Sequence, residues 1–254
     1  MTYKIYSKAS RTLVPLFFIL VLVIQISCTD DESFTKSPTT ILSFPCDTLK
    51  LDTAISGIAT STYSFVIRNH NSQGIKIVKA SLDNGEASGF QVAVDGVNIN
   101  DSYNHVIEVR KKDSITVYVK LKTKENNDDA VRTVSDKISF MLESGTIQTV
   151  TLLGYSQDVN TLSNLVIEKD TVLQSTRPFH VLGNLKVAEG KTLSIAPGTV
   201  LLFSPTSEMI VDGTLKALGT LDSAIVFRGD RLDHMFTNLS LIHISEPTRR
   251  VVIS

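Results

Sequence analysis

A nine-residue run, SITVYVKLK at Ser114–Lys122, sets the tightest limit on what this chain can become. Ile115, Val117, Val119 and Leu121 alternate with Thr116, Tyr118, Lys120 and Lys122. Neighbouring side chains of an extended strand point to opposite faces, so a period of two builds a strand that is dry on one side and wet on the other. TYSFVIRN follows the same rule through Tyr63, Phe65 and Ile67, and KISFML through Ile138, Phe140 and Leu142. Turn-forming clusters separate these runs: NHNSQG at Asn69–Gly74, DNGEASG at Asp83–Gly89 and KENNDD at Lys124–Asp129.

From residue 45 to 158 the pattern is β throughout. The succession DTLKLDTAI, YSFVIRN, IKIVKASL, FQVAVDG, DSITVYVKL, DKISFML and VTLLGYSQD predicts an immunoglobulin-like β-sandwich. Chemistry is thin in this segment. Glu125, Asp128 and Asp129 are acidic and close together, but they lack the D-x-D-x-D-G spacing that sets oxygens around one calcium ion, so a hairpin loop is expected. His70 and His105 stand near turns with no second histidine at ligand spacing, so no metal site is expected.

After Asn160 the pattern changes. In VLGNLKVAEGKTLSIAPGTVLLF, Val181–Phe203, and MIVDGTLKALGTLDSAIVF, Met209–Phe227, very short strands are broken by Gly190, Pro197-Gly198 and Gly219. Placing GNLKVAEG at Gly183 against GTLKALG at Gly213 gives a repeat of about thirty residues, in the range of solenoid units. Short strands joined by tight corners suit a chain that coils and stacks on itself, with Leu185, Val187, Leu193 and Ile195 pointing inward. Residues 159–238 are therefore expected to form about two coils of a right-handed parallel β-helix. The fold class is all-β: a sandwich followed by the first coils of a helix of strands. Glu208, Asp212, Asp222 and Asp230 fall near corners, where a solvated side chain is the ordinary outcome. A catalytic acid and base need two carboxyls facing one bond at a set separation, and this spacing cannot define such a pair.

The amino terminus has a different character. Lys4, Lys8 and Arg11 precede an apolar run, Leu13–Ile24, that falls short of the ~20 residues a spanning helix needs. This layout predicts a secretory signal over residues 1–27. QISCTDDES follows, and it resembles a bacterial lipobox, with Ser27 before the cysteine, Cys28, that becomes lipidated; Gln25 departs from the usual leucine. Acyl chains contribute ~0.8 kcal/mol per buried methylene, so several on one residue hold a protein at a bilayer. Acylation of Cys28, which the lipobox resemblance implies, would leave Cys46 no partner thiol, so Cys46 reads as inert. Residues 28–44, rich in Ser, Thr and Pro, read as a tether.

Asp30, Asp31 and Glu32 resemble the surface-export signal of lipoproteins in one group of Gram-negative gut bacteria. The sandwich strands and the phrase TLSIAPGTVLLF, followed by GTLKALGT and AIVFRGDRLD, resemble the Ig-like and β-helix domains of the same kind of surface lipoprotein. The resemblance implies an outer-membrane lipoprotein attached through Cys28. It implies a non-catalytic binding or structural role, with glycan or another envelope protein as partner. The alternative is a β-helix carbohydrate-active enzyme of lyase or hydrolase type, with its catalytic residues in further coils. The last stretch, LSLIHISEPTRRVVIS at 239–254, breaks the repeat and resembles a translated sequencing-library adapter, so His243, Glu246 and the arginine pair Arg249-Arg250 are set aside. The net charge of −1 gives no field that would draw the chain to nucleic acid, and no cofactor motif is present.

Overall fold

The computed structural model describes residues 32–100 and 105–232. Cys28, Asp30 and Asp31 lie outside the described residues, as do the segments 1–27 and 239–254; Glu32 lies within them and is exposed. From Phe34 onward the described residues belong to one compact unit.

The first part is built from nine strands: β1 (Thr48–Ile55), β2 (Tyr63–Arg68), β3 (Ile75–Leu82), β4 (Phe90–Val94), β5 (Val97–Asn98), β6 (Ile107–Val109), β7 (Ser114–Leu121), β8 (Arg132–Leu142) and β9 (Ile147–Gln157). They form two sheets, ordered β1-β9-β8-β3-β6 and β2-β7-β4-β5. In an immunoglobulin-like sandwich, strands B, E and D form one sheet and C, F and G the other. Here β2, β7 and β4 take the first set of places and β3, β8 and β9 the second, with β1 running parallel to β9 at the edge. The inward residues read from the alternation, including Phe65, Ile67, Val117, Leu121, Ile138 and Phe140, form one core.

The Ser/Thr/Pro-rich segment contributes to this sandwich from Phe34 onward. Phe34 bridges to Gly74 and lies under the Lys76 ammonium, 4.5 Å from it. Leu42 is buried in the core, and its N–H and carbonyl both bond the Gln148 side-chain amide at 2.9 Å. One apolar residue and one matched amide are enough to pin a segment that has no periodicity of its own.

The second part is a parallel solenoid: β10 (Asn160–Ile167), β11 (Thr171–Leu173), β12 (Phe179–Val187), β13 (Thr192–Ile195), β14 (Val200–Phe203), β15 (Glu208–Val211), β16 (Thr214–Ala217) and β17 (Val226–Gly229). Every pairing among these strands is parallel. The long strands β10 and β12 each bend at a residue with positive φ, Asn164 and Gly183, so each serves two faces of the coil. The first half of β12 pairs with β14 and its second half with β15. The coil is thus three-sided. Three turns are complete, and β17 begins a fourth by pairing with β14.

These pairings correct two sequence expectations. The chain makes three turns where about two were expected. Asn160 pairs with Phe179, Phe179 with Leu201 and Val200 with Val226, so successive turns take 19, 22 and 26 residues and not about thirty. The stretch after Gly213 does not stack on the stretch after Gly183; Leu215 lies over Leu193 and Ala217 over Ile195. The likeness of GNLKV to GTLKA misled because two different sides of the coil obey the same inward-outward rule. The expected inward residues do form the core: Leu185, Val187, Leu193 and Ile195 are all buried, together with Val181 and Leu201.

Gly183 shows how a corner is fixed. A β-carbon built there would lie 2.2 Å from Asn164 Oδ1, the atom that accepts the Asn184 N–H at 3.2 Å. Only glycine combines the positive φ with the close approach of the turn stacked next to it.

Candidate functional site

The wet side of the β2-β7-β4-β5 sheet carries an open cleft of about 800 Å3. Its floor follows from register. Gln91 pairs with Lys120 and Ala93 with Tyr118 across β4 and β7, while Asn98 pairs with Ala93 from β5. Paired residues share a face, so alternation that buries Val117, Val119 and Leu121 must present Tyr118, Lys120 and Lys122 to solvent. Lys124 continues the line beyond the strand, and Glu86 and Ala87 come from a short 3-10 turn at Gly85–Ser88. Asn100 closes the end by acting as a strand: its side-chain oxygen accepts the Val92 N–H at 2.8 Å and its amide donates to the Phe90 carbonyl at 2.6 Å.

Tyr118 is 46% exposed and offers an aromatic face with a hydroxyl. Gln91 and Asn98 offer amides, and Lys120, Lys122 and Lys124 offer ammonium groups. None of the three lysines has an ion-pair partner among the described residues, and Glu86 is the one carboxylate lining the cleft.

A second cleft, of about 450 Å3, lies where the sandwich meets the solenoid, between Thr53–Ser61 with Lys120 on one side and Pro205, Asp230, Arg231 and Leu232 on the other. Beside it His180, 3% exposed, pairs through Nε2 with Asp230 Oδ2 at 3.1 Å. His180 starts the second turn and Asp230 follows β17, so the pair fastens the start of the fourth turn to the second. Arg231 bonds the Ser61 hydroxyl across the junction.

The junction is built on Asp158, 3% exposed. The Ser56 hydroxyl donates to its Oδ1 at 2.5 Å and the Asn126 N–H to its Oδ2 at 3.1 Å. Ser56 has a single proton, spent on Asp158, so Ser156 donates to Ser56 at 3.1 Å and Thr123 to Ser156 at 2.5 Å. Burial pushes the Asp158 carboxyl up, but hydrogen bonds from Ser56 and from the N–H groups of Asn126, Asn127 and Asp128 outweigh it and hold the group below the ordinary carboxylate value.

The acidic loop 124–130 is thus cradled on Asp158. Asp129 reaches the solenoid, where its Oδ1 accepts from Arg177 Nε at 2.5 Å and its Oδ2 from the Thr176 hydroxyl at 2.8 Å. The Arg177 and Thr176 bonds hold the Asp129 carboxyl below its usual range.

Among the other residues singled out from sequence, Glu125 and Asp128 remain exposed, and no group of three potential metal ligands occurs among the described residues. Cys46 is a free, partly buried thiol. Glu208 is exposed in β15, where it pairs with Asn184, Asp222 is exposed at a corner, Asp212 pairs with Lys186 at 3.0 Å, and only Asp230 meets a buried partner. Sequence reasoning passed over His180 and Asp158. A histidine inside the apolar run FHVL, and an aspartate where one pattern stops and the next starts, were the available signals.

No protein-family model matches this chain. Against curated proteins, it is 38% identical over 88 residues to Protein bark beetle of Drosophila melanogaster, a match that covers 34% of this chain and 3% of that much longer protein. Among solved structures it is similar to the ASH/PapD-like domain of human CEP192, with a TM-score of 0.29 and 13% identity over 49% of this chain and 90% of that one. It is also similar to a family 123 glycoside hydrolase from Clostridium perfringens, with a TM-score of 0.33 and 11% identity over 45% of this chain and 26% of that one.

Proposed function

We propose that this chain is a cell-envelope lipoprotein, anchored through an acylated Cys28 and displayed at the outer membrane surface, whose folded part serves as a non-catalytic binding module. The observation that supports a binding role is the open cleft of Tyr118, Gln91, Asn98 and Lys120. Its side chains suit holding a ligand. The solenoid then acts as a rigid continuation of the sandwich, joined through Asp158 and Asp129. The acidic run Asp30, Asp31 and Glu32 serves as the export signal, and residues 239–254 take no part in the reading.

The anchor is tested by labelling cells with a clickable palmitate analogue. The wild-type protein incorporates the label and partitions with membranes, and Cys28→Ala does neither. Label retained in Cys28→Ala overturns the anchor. Protease added to intact cells tests the display: digestion before lysis supports the outer face, and digestion only after lysis overturns it. Long-read sequencing of the locus across the codon for Asn238 tests the tail, which stands as native if the reading frame ends at Ser254 in source DNA.

A further inference from the structure

Resting on that binding reading, we propose that the outer cleft of the sandwich takes an acidic polysaccharide, with Lys120, Lys122 and Lys124 reading its anionic groups and Tyr118 supporting a sugar ring. The three lysines lie at every second position, Lys120 in β7 and Lys122 and Lys124 in the segment that follows it, and all three line the cleft. Such a ladder matches a polymer that carries charge at regular intervals better than it matches one small anion. The lysines are exposed and unpaired among the described residues, and Glu86 alone offsets them in the cleft. A net charge of −1 on the whole chain makes this a local patch, not the outcome of a basic protein.

The remaining lining selects among polyanions. Tyr118, with Ser64 and Ala93 as its row neighbours, stands as an open aromatic platform. Gln91 and Asn98 flank it with groups that both donate and accept, as sugar hydroxyls require. A duplex nucleic acid would use the lysines and leave the tyrosine and amides idle.

The test uses the full chain and measures binding to polygalacturonate and heparin, with neutral dextran and duplex DNA for comparison, at low and high salt. We expect the acidic polysaccharides to bind, more weakly at high salt as exposed charges are screened. Lys120→Gln/Lys122→Gln/Lys124→Gln lowers that affinity about tenfold, since each exposed pair contributes little alone. Lys50→Gln/Lys79→Gln/Lys137→Gln makes the same charge change on strands of the other sheet and leaves affinity unaltered. Tyr118→Ala weakens polysaccharide binding and does not alter salt dependence. Dextran bound as well as polygalacturonate, and lost in Tyr118→Ala, overturns the acidic specificity while keeping the binding role. DNA bound as well as the polysaccharides overturns the choice of polymer. If none of the four polymers binds, both the inference and the binding reading at this cleft fall.

Discussion

Replacing Asp158 tests the junction most directly. Asp158→Ala removes the acceptor for the Ser56 hydroxyl and for three backbone N–H groups of the 124–130 loop. A hydrogen bond to a charged group contributes about 1.5–3 kcal/mol, but the loop is exposed, so its N–H groups regain water and only the buried hydroxyl relay stays short of a partner. The net loss is then about 3 kcal/mol, a fall in Tm of roughly 6–12 °C for a domain of this size. Asp158→Asn keeps the shape and one oxygen but sets an NH2 against the donors or the relay, at a cost of roughly 1.5 kcal/mol.

The pH dependence is a separate signature. The folded carboxyl is held below its ordinary value of 3.8, so the unfolded chain takes up the proton first. The stabilisation is fully present above the unfolded value and is lost as pH falls through the folded one, a window lying below about pH 4. Thermal melts by circular dichroism from pH 7 to pH 2.5 should therefore show wild type and Asp158→Asn converging as pH drops. Asp129, also lowered but exposed, titrates in the same window with little weight. A Tm for Asp158→Ala within about 2 °C of wild type at pH 7, or parallel acid slopes for wild type and Asp158→Asn, would refute the reasoning.

Other outcomes follow from the packing. Leu193→Ala, fully buried in the solenoid, should cost about 3–4 kcal/mol in guanidinium unfolding, while the sandwich core, which shares no residue with it, keeps its own transition. Gly183→Ala should lower stability by about 1–3 kcal/mol, and Asn164→Gly should recover part of that loss by clearing the clash without removing the positive φ. Arg177→Ala breaks an exposed pair and should change unfolding free energy by under ~1 kcal/mol. Residues 34–158 expressed alone should melt cooperatively; residues 159–232 alone should aggregate on size-exclusion chromatography, because β10 and β17 end their sheet and offer open parallel edges.

Much of the sandwich was legible because burial on one face forces a period of two. Ile115 through Leu121 and Ile138 through Leu142 announce their inner side without help from the rest of the chain. The segment 34–44 was not legible, since Leu42 is held by one pocket and one distant amide, Gln148, that no local pattern reports. The solenoid was recognisable as such from its short strands and corner glycines, but not its phase. Its turns differ in length, and two of its three sides carry the same L-x-V-like signature, so a single best alignment joined the wrong sides. The cleft was half legible: the wet face of β7 was read from Tyr118 and Lys120, whereas Gln91 and Asn98 joined it only through pairing. Asp158 carried one weak signal, its place at the change of pattern, but its contacts were not legible. Its partners are backbone N–H groups and hydroxyls, which every sequence contains.

The lengthening of the turns, from 19 to 22 to 26 residues, has an evolutionary meaning. One corner holds Asn164 alone in the first turn, a short bend at Gly183 in the second, and the segment 204–207 in the third, where Ser204 and Ser207 bond each other and the Val181 carbonyl. The ladder on either side keeps its register while the corner grows. The other corners change length too: 168–170, 188–191 and 212–213 lead into β11, β13 and β16, and 218–225 before β17 is the longest. Insertions and deletions can therefore be taken up at any of the corners without any change in the buried rows. A lineage of such proteins can diversify its outline at the corners while inheriting its interior intact.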